Sequence, residues 1–262
     1  NFKKYMEEIN FISLWEVMDE YELPKLNASQ SLKLNIHDPC TSRNTNMQDS
    51  IRNIVAKINC EVHELKYSKE FTKCCGYGGL VYFANREQSN DFIDDRIMES
   101  NEDLLVYCTM CKDLFTSRGK RTFHMLDLLF SDDLEKSALQ KMPTLSERQH
   151  NRMHVRNNLL KNIWGEEVMY EDEKYNIKIN DSTKAKMEEM YIVFSDVKKS
   201  VENSIENKER FFNPSDNSYL TRLRIENVTY WVQYEVNEEG ITVTNVYSHR
   251  MEVVEANNED IR

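Results

Sequence analysis

The spacing of the cysteines in this sequence suits a metal or redox centre. Cys40 is followed by the adjacent pair Cys74 and Cys75, and then by Cys108 and Cys111 in a C-x-x-C turn. Sulfur is a soft ligand that matches iron, and an iron–sulfur cluster needs several thiolates that converge on one point. The pattern therefore predicts an iron–sulfur centre, provided that the fold brings these segments together.

Glycines follow the adjacent cysteines closely, in the run CCGYGG at residues 74–79. Glycine adopts positive φ angles at little cost, so such a run permits a sharp backbone bend. Successive backbone N–H groups in a bend of this kind form a concave surface that attracts anions. The run predicts a loop that aims two sulfurs at an anionic cluster. The alternative is a tight strand-to-helix turn with buried cysteines that bind nothing.

Three motifs together resemble those of the CCG cysteine-rich domain family, which includes the CCG-bearing polypeptide of heterodisulfide reductase. They are HDPC at 37–40, CCGYGG at 74–79 and YCxxC at 107–111, and the resemblance covers residues 32–130. It implies a [4Fe–4S] cluster of the noncubane type, in which some thiolates bridge irons. The ligands that it implies are Cys40, Cys74, Cys75, Cys108 and Cys111.

The resemblance also implies partners. Those reductases carry two CCG motifs and split a disulfide substrate between two clusters, whereas this sequence has one motif. Segments 228–232 and 247–251 resemble the tail of some multidomain pyridine-nucleotide-disulfide oxidoreductases, in which a flavoprotein domain supplies electrons. We therefore expect an oxidoreductase domain or subunit that needs a partner for turnover. The expected partners are a flavin- and NAD(P)H-dependent or ferredoxin-like electron donor and a disulfide or other small sulfur substrate.

Four residues beside the cysteines are candidates for a supporting role. His37 could donate a hydrogen bond to a cluster sulfur, and Arg43 could offset negative charge. Gly76 permits the bend, and Tyr77 is a candidate proton donor. The alternatives are a turn-capping histidine, a solvated arginine and a packed tyrosine. Cys60 is not among the predicted ligands, and we predict that it is a small buried side chain. No catalytic residue is identified.

Two other functions use the same residues. Four thiolates suffice for tetrahedral zinc, so the domain could be a zinc-binding structural or interaction module. Alternatively, the cysteines could be metal-free redox sensors, which would require an exposed thiol of low pKa. Colour separates an iron–sulfur cluster from zinc, because the cluster is brown and zinc is spectroscopically silent.

The elements that must position the cysteines follow an alternating pattern. Short apolar segments precede each cysteine-bearing stretch, at 32–36, 61–67 and 104–107, and helical periodicity is present at 2–21, 47–58 and 83–98. Alternating strands and helices predict an α/β domain with a short parallel sheet. Ligands of such sheets usually lie beyond the carboxyl ends of the strands, so one edge could gather the cysteines.

The second half of the sequence has a different texture. Period-two alternation at 219–225, 228–236 and 241–247 predicts a three-stranded antiparallel meander, covered by a helix at 196–208. We therefore predict a CCG domain at 1–140, a helical and charged connector at 141–180, and a small α+β module at 181–262.

Composition narrows the classes further. The sequence is 40% hydrophobic and 30% charged with a net charge of −11, which suits a folded domain and argues against a nucleic-acid partner. It has neither a run long enough to span a membrane nor a signal peptide. We expect a cytoplasmic location. The opening at Asn1 reads like the middle of a helix, so the chain is expected to be a piece of a longer polypeptide.

Overall fold

The computed structural model describes residues 5–6, 8–9, 11–23, 32–167 and 174–251. The chain divides into two compact units, Asn1–Met142 and Pro143–Arg262. Each unit has its own sheet and its own apolar packing. No helix in the described part of the chain is long and apolar enough to cross a membrane.

A four-stranded parallel sheet lies at the centre of the first unit. Its strands are β1 (Lys33–His37), β2 (Glu61–Glu64), β3 (Asp103–Val106) and β4 (Thr122–His124), in the spatial order β2-β1-β3-β4. Ile36 and Leu105 in the two central strands are fully buried, which explains why these strands read as apolar runs. The predicted α/β fold with a short parallel sheet is confirmed. Strand β4 was not predicted, because three residues carry too little pattern.

Apolar cores lie on both faces of this sheet. The helices of the unit are α1 (Leu14–Glu20), α2 (Met47–Lys57), α3 (Val81–Ala84), α4 (Arg86–Met98), α5 (Thr109–Ser117), α6 (Met125–Phe130) and α7 (Leu134–Ala138). Leu105 packs in one core with residues of α1 and α2, whereas its neighbours Leu104 and Val106 pack in the other. Because successive strand residues point to opposite faces, one strand serves both cores. The second core includes Cys75 and Cys111.

Two predicted helices have different bounds in the structure. The helix predicted at 83–98 is broken at Asn85, whose extended backbone separates α3 from α4 and whose side chain accepts a hydrogen bond from the Gln88 N–H at 3.1 Å. The helix predicted at 2–21 begins at Leu14, where Ser13 and Glu16 form a capping box. Part of that predicted helix lies outside the described residues.

The second unit is a mixed sheet with helices. Its strands are β5 (Ile177–Ile179), β6 (Arg210–Asn213), β7 (Ser218–Ile225), β8 (Val228–Asn237) and β9 (Gly240–His249), and its helices are α8 (Leu145–Asn162), α9 (Asp181–Glu189) and α10 (Phe194–Glu206). The predicted meander of β7, β8 and β9 is confirmed, and β6 extends it as a fourth antiparallel strand. Strand β5 pairs in parallel with β9, so the stretch predicted as a connector contributes to this sheet.

Candidate metal centre

The carboxyl end of strand β1 carries the first group of predicted site residues. His37, the last residue of the strand, is fully buried, and so is Asp38. Cys40 begins a short 3-10 turn, Cys40–Ser42, and is exposed. The strand therefore ends inside the protein and delivers its cysteine to the surface.

Asp38 is held by a network of donors. Its carboxylate accepts hydrogen bonds from Arg52 Nη1 at 3.0 Å and Nη2 at 2.9 Å, from the Tyr107 hydroxyl at 2.7 Å and from the Lys69 N–H at 2.8 Å. Its carbonyl accepts a hydrogen bond from Thr72 Oγ1 at 2.7 Å. Burial raises the pKa of Asp38, but the hydrogen bonds from Arg52 and Tyr107 outweigh it, so the pKa lies below its ordinary value. The carboxyl group therefore stays ionised.

This network joins the three cysteine-bearing segments. Thr72 lies two residues before Cys74, and Tyr107 directly precedes Cys108, while Asp38 itself precedes the turn at Cys40. A single buried carboxylate thus ties together stretches that are distant in sequence. Nothing in the sequence marks this role of Asp38. The position of Tyr107 directly before a predicted ligand was the one available indication that its hydroxyl could support the site.

The loop after Cys75 requires glycine at position 76. Gly76 has φ +88°, and a Cβ there would lie 2.7 Å from the Ser89 carbonyl oxygen and 2.9 Å from Ile93 Cγ1. Ser89 Oγ donates to the Gly76 carbonyl at 2.8 Å, and the Gly76 N–H donates to Cys74 Sγ at 3.3 Å. The loop is therefore pressed against α4, and its backbone already donates to one sulfur.

The C-x-x-C turn lies at the start of helix α5. Cys108 is the residue that caps the helix, and Cys111 is in its first turn and almost fully buried. A helix N-terminus presents free N–H groups that favour a thiolate. Hydrogen bonds from the Cys111 side chain, and then from the backbone N–H groups of Cys111 and Met110, lower the pKa of Cys108 to about 6, although burial opposes the shift.

Four of the predicted ligands come together. A ring nitrogen of His37 and the Sγ atoms of Cys75 and Cys111 all lie within 4.8 Å of one another, and all three residues are buried. Cys74 interacts with Cys75, and Cys108 with Cys111. The structure therefore places the CCG loop and the C-x-x-C turn against each other.

The thiols of this group differ in acidity. Hydrogen bonds from Cys111 and then Cys74 hold the pKa of Cys75 far below its usual range, although burial opposes them. The pKa of Cys111 is raised because its hydrogen bonds to Cys108 and Cys75 and its burial favour the protonated form. The pKa of Cys74 is raised by its hydrogen bond to Cys75 and then by burial. Ionisation therefore begins at Cys75 and Cys108, and a bound cation is needed to deprotonate all four.

The other two cysteines lie outside this group. Cys40 is exposed in the turn that follows strand β1, whereas the interactions that join the other four thiols are among Cys74, Cys75, Cys108 and Cys111. Cys60 is half-buried against the first core, and burial alone raises its pKa, as suits a small apolar side chain. Of the five cysteines predicted as ligands, four interact with one another, and the fifth, Cys40, lies just after the end of strand β1.

The supporting residues predicted from the sequence have distinct positions. Arg43 donates to the Thr72 carbonyl, which braces the loop before the CCG run. The ring of Tyr77 packs against Tyr82 at 5.6 Å and Phe83 at 5.8 Å between centroids, beside the glycine-rich loop. Both side chains therefore bind neighbouring residues of the fold and stabilise the segments on either side of the two cysteines.

His37 contacts a residue that the sequence did not single out. Its Nδ1 accepts a hydrogen bond from Nε of the fully buried Arg96 at 2.9 Å. Its Nε2 is buried without a partner of normal hydrogen-bond geometry among the described residues, yet its approach to Cys75 contributes to the low pKa of that thiol. Burial is the main cause that lowers the pKa of His37, so the ring is neutral.

The donor set suits a thiophilic metal centre. Four thiols on two facing loops, with backbone N–H groups directed at sulfur, match the ligand chemistry of iron–sulfur clusters and of zinc. Carboxylates are absent from the clustered ligand atoms found in the described residues. The site therefore favours metals that bind sulfur over metals that prefer oxygen ligands.

Comparison with known proteins agrees with this chemistry. The family model of the CCG cysteine-rich domain matches residues 34–115, which include every clustered cysteine. No curated protein and no solved structure matches the chain.

Proposed function

Because residues 34–115 form a cysteine-rich domain of the CCG family, we propose that this chain holds an iron–sulfur cluster and transfers electrons as part of an oxidoreductase. The observation that carries the proposal is the contact between the CCG loop and the C-x-x-C turn. Two thiols of lowered pKa, Cys75 and Cys108, lie there beside two further thiols. A preformed set of sulfur ligands lowers the cost of ordering them around a metal.

The protein's own residues hold and shape this site. Cys74, Cys75, Cys108 and Cys111 supply sulfur from two loops, and Cys40, at the end of the neighbouring strand β1, is the fifth proposed ligand. A cluster of the noncubane [4Fe–4S] type would supply one-electron chemistry and an iron that captures a substrate thiolate. The burial of Cys75 and Cys111 excludes water from the inner side of the site.

The proposed reaction is thiol–disulfide chemistry of the heterodisulfide reductase kind. The proposed partners are a flavin- and NAD(P)H-dependent or ferredoxin-like electron donor and a disulfide or other small sulfur substrate. All six cysteines are free, which suits a reducing compartment such as the cytoplasm. Cys74 and Cys108 are partly exposed, so a substrate would approach the site from the side of these two thiols.

Zinc binding is the second candidate, and one observation favours it. The four thiols that interact with one another match the four ligands of tetrahedral zinc without the exposed Cys40. The two functions therefore differ in what they require of Cys40: a five-cysteine cluster needs it, and a four-cysteine zinc site does not.

Anaerobic reconstitution of the chain with iron and sulfide, followed by metal analysis, tests the proposal. We expect about four iron and four sulfide per chain and a brown colour. Cys75→Ser and Cys40→Ser should both lower the iron content, whereas the control Cys60→Ser should not. If the chain binds zinc in preference to iron, and Cys40→Ser does not change the amount bound, the site is a structural zinc site and the proposed cluster is wrong.

A further inference from the structure

The hydrogen bond between His37 and Arg96 determines which ring nitrogen carries a proton. Arg96 Nε lies 2.9 Å from His37 Nδ1. A guanidinium group has N–H donors and no acceptor, so Nδ1 must offer its lone pair. The neutral imidazole then carries its proton on Nε2, and an Nε2 that carries a proton has no lone pair for a metal.

Arg96 itself is held rigidly. Its side chain is fully buried, and its two remaining nitrogens donate to Glu99 Oε2 at 2.6 Å and to the Tyr67 carbonyl at 2.8 Å. The His37 ring also packs edge-on against Phe115, with centroids 4.9 Å apart. Neither side chain can rotate without breaking these contacts, so the orientation of the ring is set by the fold.

The protonated nitrogen is the one that faces the sulfur site. Nε2 of His37 is buried and has no partner of normal hydrogen-bond geometry among the described residues, and the interaction of the ring with Cys75 favours the thiolate of that residue. A ring nitrogen of His37 lies within 4.8 Å of the Sγ atoms of Cys75 and Cys111, and Nδ1 is already occupied by Arg96. A buried donor with no acceptor costs free energy, which a nearby sulfur anion would recover.

We infer that His37 is an N–H donor to the sulfur site rather than one of its ligands, and that Arg96 is the positioning residue that enforces this role. An N–H donor stabilises negative charge on sulfur, so it favours the reduced form of a bound cluster. The tautomer is a property of the metal-free chain. Only the redox consequence rests on the proposed function.

Long-range ¹H–¹⁵N NMR of the metal-free, reduced chain tests the tautomer. We expect His37 to carry its proton on Nε2 and Arg96→Leu to abolish that single form. His124 is an internal control, because its Nδ1 accepts a hydrogen bond from the Leu126 N–H at 3.2 Å and should not change. A proton on Nδ1 of His37 in the unmodified chain would overturn the inference.

The second arm uses the reconstituted chain and does not depend on a stable Arg96 variant. We expect His37→Phe to retain the iron and sulfide content and to lower the midpoint potential. A tenfold change in the reduced-to-oxidised ratio corresponds to about 59 mV for one electron. His37→Gln should restore much of the potential, because its amide nitrogen can donate from nearly the same position.

The outcomes of this arm separate the two proposals. Loss of iron in His37→Phe equal to the loss in Cys75→Ser would show that His37 is a ligand and overturn the inference. An unchanged potential in His37→Phe would also overturn it. If the unmodified chain binds zinc instead of iron, the proposed function fails, and the NMR result still decides the tautomer.

Discussion

At the scale of single residues, Asp38 organises the site although it is not a candidate ligand. It is fully buried, and its partners come from α2, from the loop before the CCG run and from the residue before the C-x-x-C turn. A buried carboxylate with four donors is stable only while all of them stay in place. Asp38 therefore converts three separate loops into one rigid support.

Replacing Asp38 with Asn should destabilise the metal-free chain. The change removes the buried anion that accepts four hydrogen bonds and leaves Arg52 paired with the more exposed Glu64, so we expect a loss of about 2 kcal/mol in the free energy of unfolding. Urea unfolding followed by circular dichroism measures it. Asp49→Asn is the matched control, since its pair with Lys69 is exposed and should contribute under about 1 kcal/mol. Equal effects of the two changes would contradict the role of Asp38.

The same carboxylate predicts a pH dependence. The folded-state pKa of Asp38 is lowered, so the unfolded state binds its proton more readily. Its contribution to stability is complete above about pH 4, near the unfolded pKa, and is lost as the pH falls through the lower folded pKa. Urea midpoints between pH 6 and pH 3 should fall less steeply for Asp38→Asn than for the unmodified chain. Parallel curves would refute the prediction.

At the scale of elements, the CCG loop depends on its contact with α4. Gly76 combines a positive φ with a Cβ position blocked by the Ser89 carbonyl. Glycine is required there for two separate reasons, conformation and space. Leu80, at φ +63°, shows that this stretch also holds a non-glycine residue in the left-handed region. Such strain is maintained only by the surrounding structure and is common near functional sites.

Gly76→Ala should therefore impair both folding and metal binding. We expect a loss of about 3 kcal/mol in stability and a marked loss of bound iron after reconstitution. Gly119→Ala is the control, since Gly119 has φ +81° but open space around its Cβ position, and it should cost about 1 kcal/mol. The difference between the two variants isolates the steric clash with α4. Full iron binding by Gly76→Ala would show that the loop adapts.

At the scale of the whole molecule, the two units have separate cores. The core of the second unit is supplied by strands and helices of residues 143–262 and includes the fully buried Val197, Val201 and Tyr234. It contains no cysteine, because all six lie before residue 143. The second unit therefore has the means to fold without metal.

A fragment of residues 143–262 should unfold cooperatively in a chelator, as followed by thermal circular dichroism. A fragment of residues 181–262 should be less stable, because it lacks β5, which pairs with β9, and the packing of Ile177 and Ile179 on the core. A random-coil spectrum of the longer fragment would contradict this prediction. Equal stability of the two fragments would mean that β5 contributes little.

The proposed function predicts that turnover requires a partner. With one CCG motif, the reconstituted chain should accept electrons from a strong reductant but cleave a small-molecule disulfide with little turnover. A single cluster held by these cysteines would offer a landing site for one sulfur of the broken bond and none for the second. Free thiol released under anaerobic conditions measures the reaction, with and without a candidate partner. Repeated turnover by the chain alone would show that one site is sufficient.

Sequence patterns within single elements were enough to predict much of the fold. Apolar runs and helical periodicity predicted the parallel sheet and the meander, because burial of strands is recorded in consecutive residues. The spacing of the cysteines indicated which loops could form a metal site. In the structure, the CCG run and the C-x-x-C turn are in contact. The three-residue strands β4 and β5 were missed, because they depend on pairing with distant strands and have no pattern of their own.

Only the tertiary structure decided how the site is supported. The exposure of Cys40, the network around Asp38 and the hydrogen bond from Arg96 to His37 join residues far apart in sequence. Arg96 lies in a polar stretch of α4 that reads as a solvated surface, yet it is fully buried. Long-range polar contacts depend on the positions of both partners in space, and the spacing of residues along a chain does not record those positions.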